Sequence, residues 1–204
     1  VFDALIFDLD GTLWDASETS TRGWNNGLRS LNINRTISVA ELQQVTGKPG
    51  VETVRILFPN EFEEHQNLLD VLDHYEKMII QNSGGKLYDG LETVIRSLSL
   101  KYDLFLVSNC EEWYLKEFLK FSGLKEFFKG FDCYGISNQN KSEMLLNLKK
   151  EYGFINPAYI GDTEGDETAA RNAGYAFIFS GYGFGVSDEP DFTLNSLKEI
   201  LTIL

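Results

Sequence analysis

Ile6-Phe7-Asp8-Leu9-Asp10-Gly11-Thr12, near the start of the 204-residue chain, runs from an apolar stretch straight into two carboxylates and a glycine. The preceding Ala4-Leu5-Ile6-Phe7 is short and apolar, the mark of a buried strand. Strict strand geometry at Leu9 would put Asp8 and Asp10 on one face, but Gly11 marks a turn that can swing them apart. One carboxylate could then attack an electrophile and bind a metal. The other could protonate a leaving oxygen and later deprotonate water. An Asp-x-Asp pair alone fits a solvated turn better, so the rest of the chain has to decide.

Two further apolar runs end in polar residues: Leu104-Phe105-Leu106-Val107 before Ser108-Asn109, and Ala158-Tyr159-Ile160 before Gly161-Asp162. Helical patterns at Gly90 to Leu100, Glu111 to Phe121, Lys141 to Tyr152 and Asp166 to Ala173 separate the later runs, and Tyr175 to Phe179 reads as another strand. Strands alternating with helices predict an α/β fold with a Rossmann-like parallel sheet. Polar residues gather where the strands end, the edge at which open α/β sheets bind ligands.

Residues 15–86 differ, with helical periodicity and no convincing strand. They predict an inserted α-helical cap domain, leaving 1–14 and 87–204 as the α/β core domain. Ser38-Val-Ala-Glu41 has capping-box spacing, Pro59 closes a segment from Glu52 to Phe58, and a long helix is expected from Glu61 to Gln81. Gly84-Gly85 and Trp14-Asp15 mark the two crossings, which could hinge the insertion over the sheet edge. Near the C-terminus, Asn195 is expected to cap the last helix.

The net charge of −13 argues against duplex nucleic acid or an anionic membrane surface, both of which require a basic face. No apolar run approaches the roughly 18 to 20 residues that span a bilayer. The first residues lack a basic segment and a small-residue cleavage site, so a strand is expected there rather than a signal peptide. Cys110 and Cys133 are too few for a disulfide framework and fit a reducing compartment, so the expected location is cytoplasmic.

Gly161-Asp162-Thr163-Glu164-Gly165-Asp166 sets a second acidic cluster at the same sheet edge. Carboxylates from two strand ends suit Mg²⁺, with Asp162 the direct ligand and Asp166 acting through water or as a support. The same acids would also suit a helix N-terminus. Ser108-Asn109 offers a hydroxyl, an amide and free backbone N–H groups to phosphate oxygens, or simply caps a helix. Lys141 could neutralise both Asp8 and a phosphoryl group, or lie in solvent.

In order and spacing, Asp8-Leu-Asp10-Gly-Thr12, Ser108, Lys141 and Gly161-Asp162-Thr-Glu-Gly-Asp166 resemble the motifs of the haloacid dehalogenase superfamily, and the match spans the chain. The resemblance implies a phosphoaspartate on Asp8 and general acid/base work by Asp10. It implies Mg²⁺ held by Asp8, the Asp10 carbonyl and Asp162, with Asp166 in support. Ser108 and Lys141 would bind the phosphoryl group, with Asn109 nearby. Dehalogenases of this superfamily lack the second motif aspartate, so Asp10 points to phosphoryl transfer.

The insertion looks like the helical cap of its phosphatases and phosphomutases, which makes Lys48, in Thr46-Gly-Lys48-Pro-Gly50, a candidate contact to a substrate anion or part of an exposed connector. Gly181-Tyr-Gly-Phe-Gly185 resembles a loop of phosphoglycolate-phosphatase-like members. The expected function is a Mg²⁺-dependent phosphatase for a small phosphorylated metabolite, such as phosphoglycolate or a sugar phosphate. The alternatives are a phosphomutase using the same residues and an idle binding relative. The oligomeric state is not legible.

Overall fold

In the computed structural model, which describes residues 1–204, Ala4–Phe7 forms β1 and all its side chains are buried. Leu5 and Phe7 join one apolar core, while Ala4 and Ile6 join another on the opposite face. This is the period-two pattern of a strand covered on both sides. The remaining strands are β2 (Trp14–Asp15), β3 (Lys86–Leu87), β4 (Asp103–Ser108), β5 (Phe128–Cys133), β6 (Pro157–Gly161), β7 (Ala176–Ser180) and β8 (Phe192–Leu194). Six of them form a wholly parallel sheet in the order β5-β4-β1-β6-β7-β8. The chain winds from β1 toward β5, then crosses to β6 and winds the other way, so the topological switch lies between β1 and β6. Crevices at such a switch are where α/β sheets bind ligands.

Helices α1 (Ser17–Ser30), α2 (Val39–Gln43), α3 (Gly50–Leu57), α4 (Pro59–Glu64) and α5 (Leu68–Ser83) lie between the strands of the antiparallel β2-β3 ribbon. They share an apolar core of their own, built around Trp24, Leu28, Val54, Phe58 and Leu72. The helices α1 and α5 approach at backbone distance, because a Cβ on Gly23 would lie 2.4 Å from the Cα of Glu76. That contact explains a glycine inside a helix, where it costs about 1 kcal/mol relative to alanine.

After the ribbon come α6 (Leu91–Ser99), α7 (Glu112–Ser122), α8 (Tyr134–Ser137), α9 (Lys141–Tyr152), α10 (Glu164–Ala173) and α11 (Ile200–Ile203). α6, α7 and α11 cover one face of the sheet, and α9 and α10 the other. The result is a Rossmann-like α/β core with an inserted helical unit. No helix is long and apolar enough to cross a membrane.

The structure refines the sequence expectation in four places. The helix expected over Glu61 to Gln81 is two, because the chain turns extended at His65 (φ −119°, ψ 92°) before α5 begins. Pro59 both ends α3 and opens α4, its missing N–H harmless in a first turn. Asn195 makes no side-chain cap; its N–H and amide donate to Glu199, and Ser196 precedes a short 3₁₀ turn. β5 and β8 went unread because they are the sheet edges, where Lys129, Asp132 and Thr193 interrupt any apolar run.

Candidate active site

Asp8 extends β1 by one residue, its N–H donating to the Ile160 carbonyl at 2.9 Å. Its side chain is thereby fixed at the switch point and is 1% exposed. Lys141, the first residue of α9, follows Asn140, whose capping box with Glu143 fixes the start of the helix. From there Lys141 reaches inward, 5% exposed, to lie 2.5 Å from Asp166 Oδ1 and 3.1 Å from Asp8 Oδ1. Asp166 is fully occupied, because its Oδ2 also accepts from Asp162 N–H (3.1 Å), Thr163 N–H (3.0 Å) and Thr163 Oγ1 (2.7 Å). It therefore ties the lysine to the turn that carries Asp162.

Asp162 Oδ2 accepts from the Phe184 N–H at 2.7 Å, whereas its Oδ1, like Asp8 Oδ1, is buried without a hydrogen-bond partner. Lys141 approaches Asp8 Oδ1 as an ion pair outside hydrogen-bond alignment. Oxygens of Asp8, Asp162 and Asp166 lie within 4.8 Å of one another. Two orphaned carboxylate oxygens side by side suit a hard cation such as Mg²⁺. Asp166 has no oxygen to spare and suits a supporting role.

Gly11 has φ +74°, and a Cβ there would lie 2.0 Å from Asp162 Oδ2. The first motif thus needs glycine both for its turn and for the approach of the second acidic loop. The turn sends Asp10 away from Asp8, to accept from Tyr114 Oη at 2.5 Å. Ser108 is buried at the end of β4, and Asn109 Nδ2 donates 2.7 Å to the Gly47 carbonyl, linking the sheet edge to the helical insertion. Asp8, Asp10, Ser108 and Asn109 line one open cleft with a cavity of about 110 Å³. Lys48 lines the mouth but is exposed, its Nζ 3.3 Å from Glu52 Oε1.

Residues 5–180 match the family model described as haloacid dehalogenase-like hydrolase. The chain belongs to this family. It is 29% identical to pyrophosphatase PpaX of Listeria innocua, over 98% of this chain and 95% of that one. It is 26% identical to phosphoglycolate phosphatase of Rhodobacter capsulatus, over 89% and 85% respectively. Its fold superimposes with a TM-score of 0.85 on a crystal structure described as a predicted phosphoglycolate phosphatase from Haemophilus somnus, at 18% identity and covering 99% of this chain and 97% of that one. Within the family the chain is a hydrolase of the phosphatase type.

The electrostatics of this haloacid dehalogenase-like hydrolase separate the two aspartates of its first motif. Burial raises Asp8 to about 6, with Lys141 opposing the rise. Burial raises Asp10 to about 8, opposed by the Tyr114 hydrogen bond and assisted by the charge of Asp8. Between those values Asp8 is ionised while Asp10 holds its proton, which lets one act as nucleophile and the other as acid. Burial, then the charges of Asp166 and Asp8, raises Asp162 to about 8. Lys141 stays charged, since Asp166 and Asp8 outweigh the desolvation that would lower it.

Sequence reading missed Tyr114, which looks like any apolar residue of an amphipathic α7, and it undervalued the glycine loop. Gly183 packs so closely that a Cβ would lie 2.4 Å from the Asp162 Cβ, and Phe184 holds Asp162 through its backbone, which no residue identity announces. The glycine spacing was the only available signal. Tyr114→Phe is expected to lower kcat about tenfold, the scale of one lost side-chain hydrogen bond. Because that bond lowers the Asp10 pKa, the alkaline limb of the pH–rate profile should move above about 8 in the variant. An unmoved limb would detach Tyr114 from Asp10 function.

Proposed function

We propose that this chain is a Mg²⁺-dependent phosphatase that cleaves a small phosphomonoester through a phosphoaspartate on Asp8. The observation that carries the reading is the cleft floor: an ionisable, orphaned Asp8 oxygen beside Lys141, with a separately held Asp10 raised to about 8. Asp8 attacks phosphorus while the bond to the leaving oxygen breaks, and Asp10 gives that oxygen its proton. Asp10 then takes a proton from water as the water attacks phosphorus, the bond to Asp8 breaks, and inorganic phosphate leaves. Lys141, Ser108 and the N–H groups beyond β4 hold the phosphoryl oxygens.

Asp8 Oδ1, the Asp10 carbonyl and Asp162 Oδ1 would hold Mg²⁺, which when bound supplies positive charge against the phosphoryl oxygens. Residues 15–86 serve as a cap that excludes water and selects the substrate, with Lys48 at its mouth. The substrate is a small metabolite, in keeping with cytoplasmic work. Purified protein should release inorganic phosphate from an aryl phosphate with Mg²⁺, fall to background with EDTA, and recover when Mg²⁺ is returned. Full activity in EDTA would remove the metal from the reading, and formation of a positional isomer without phosphate release would replace hydrolysis by mutase chemistry.

A further inference from the structure

Residues 44–49, the loop between α2 and α3, touch the core at both of its motif-bearing turns. The Gly47 carbonyl accepts from Asn109 Nδ2 at 2.7 Å, and a Cβ on Gly47 would lie 3.3 Å from Thr163 Cγ2. Asn109 directly follows β4, and Thr163 follows Asp162 beyond β6, so one loop seats on the turns that carry Ser108 and Asp162. Gly47 holds φ +92°, a left-handed backbone that side chains rarely adopt. The other hydrogen bond from the helical insertion to the core, Gln81 Nε2 to Glu117 Oε1 at 3.1 Å, is exposed and lies within a turn of the Gly84-Gly85 joint. No ion pair joins the two parts. A contact beside a joint does little to fix a hinged unit, whereas one that grips the loop over the cleft does.

The same loop bounds the space above the nucleophile. Thr46, Gly47 and Lys48 line the cleft together with Asp8, Ser108 and Trp24. The cavity is about 110 Å³, against the roughly 300–1,000 Å³ of sites that take drug-sized ligands. A phosphoryl group at Asp8 takes part of that volume, so a leaving group longer than a few atoms fits when the loop lifts. Lifting the loop separates Gly47 from Asn109. The Asn109 amide, expected from the sequence to lie near the phosphoryl group, thus has an N–H committed to the cap.

We propose that the Asn109 side chain is a latch that holds residues 44–49 down on the sheet edge, and that it thereby restricts the enzyme to phosphomonoesters with a short leaving group. A bulky ester has to break the Asn109–Gly47 bond to reach Asp8, and a short one does not. This inference rests on the phosphatase reading above and adds to it the size class of the substrate and the residue that enforces it.

The test compares kcat/KM for 2-hydroxyethyl phosphate and adenosine 5′-phosphate in the wild type, Asn109→Ala and Asn109→Asp, with an aryl phosphate assayed in parallel. The wild type should favour the short ester by roughly a hundredfold, within the range that a pocket gives for differences in size. Asn109→Ala should reduce that ratio roughly tenfold, the scale of one hydrogen bond. Asn109→Asp keeps the shape but sets an oxygen against the Gly47 carbonyl, and should reduce the ratio at least as far. Independently of turnover, the heteronuclear ¹⁵N NOE of the Gly47 and Lys48 amides should fall in both variants while that of Gln81 stays. Equal losses on both esters with an unmoved NOE would return the amide to the phosphate and overturn the latch. Hydrolysis of the aryl phosphate together with equal or better use of adenosine 5′-phosphate by the wild type would overturn the proposal and leave the phosphatase reading intact. Failure to hydrolyse any ester, the aryl phosphate included, would overturn the underlying reading too.

Discussion

Asp8→Asn is expected to reduce phosphate release by a factor on the order of 10⁴ to 10⁶, the scale on which enzymes lose turnover when a nucleophile is deleted. The carboxamide keeps the shape of the carboxylate but cannot form the bond to phosphorus. Its fold should survive: burial is the main reason Asp8 sits at about 6 rather than in the ordinary range, and a neutral group escapes that penalty. Lys141 keeps its second partner, Asp166 at 2.5 Å. Wild-type protein quenched in acid during turnover of a radiolabelled ester should carry label that hydroxylamine removes, and the variant should carry none. Folded Asp8→Asn that still turns over, or that still takes up label, would transfer the covalent step to another residue.

The sheet was legible because its central strands are continuous apolar runs, and the ends of β1, β4 and β6 could be read as one edge once those strands were taken as parallel. Asp8, Ser108 and Asp162 follow from that inference, since a residue at or just past a strand end has its position set by the backbone. Lys141 was legible as a candidate only, because an isolated lysine carries no sign of burial; its fate depends on Asp166, 25 positions away. Tyr114 was not legible. It belongs to an ordinary amphipathic helix, and whether such a side chain meets solvent or a cleft is decided by how helices dock, which sequence spacing does not encode. For the same reason the exposed, Glu52-paired state of Lys48 could not be told from a pocket-facing one. The break at His65 between α4 and α5 has a similar origin: the apolar positions keep helical spacing across it, so periodicity alone runs through.

Lys141→Met should be the most damaging single change to the fold around the site, with a loss of about 3–5 kcal/mol, as expected when one member of a buried charge network is removed. The methionine fills most of the volume but leaves Asp8 and Asp166 buried with no cation between them. The sign with pH follows from Asp8. Its folded pKa of about 6 already lies above the ordinary carboxylate value of 3.8 even though Lys141 lowers it, so without the lysine it rises further. A carboxyl raised in the folded state contributes stability that is complete below its unfolded pKa and is lost as pH rises through the folded one. The gap between wild type and variant should therefore be small near pH 5 and widen toward pH 8, which urea denaturation at the two pH values would measure. Adding Asp166→Asn to Lys141→Met removes one of the stranded anions and should recover part of the stability but none of the activity, since no cation then faces the phosphoryl group. A gap independent of pH would mean that Lys141 acts by packing and not by charge, and would undercut its assigned place beside the nucleophile.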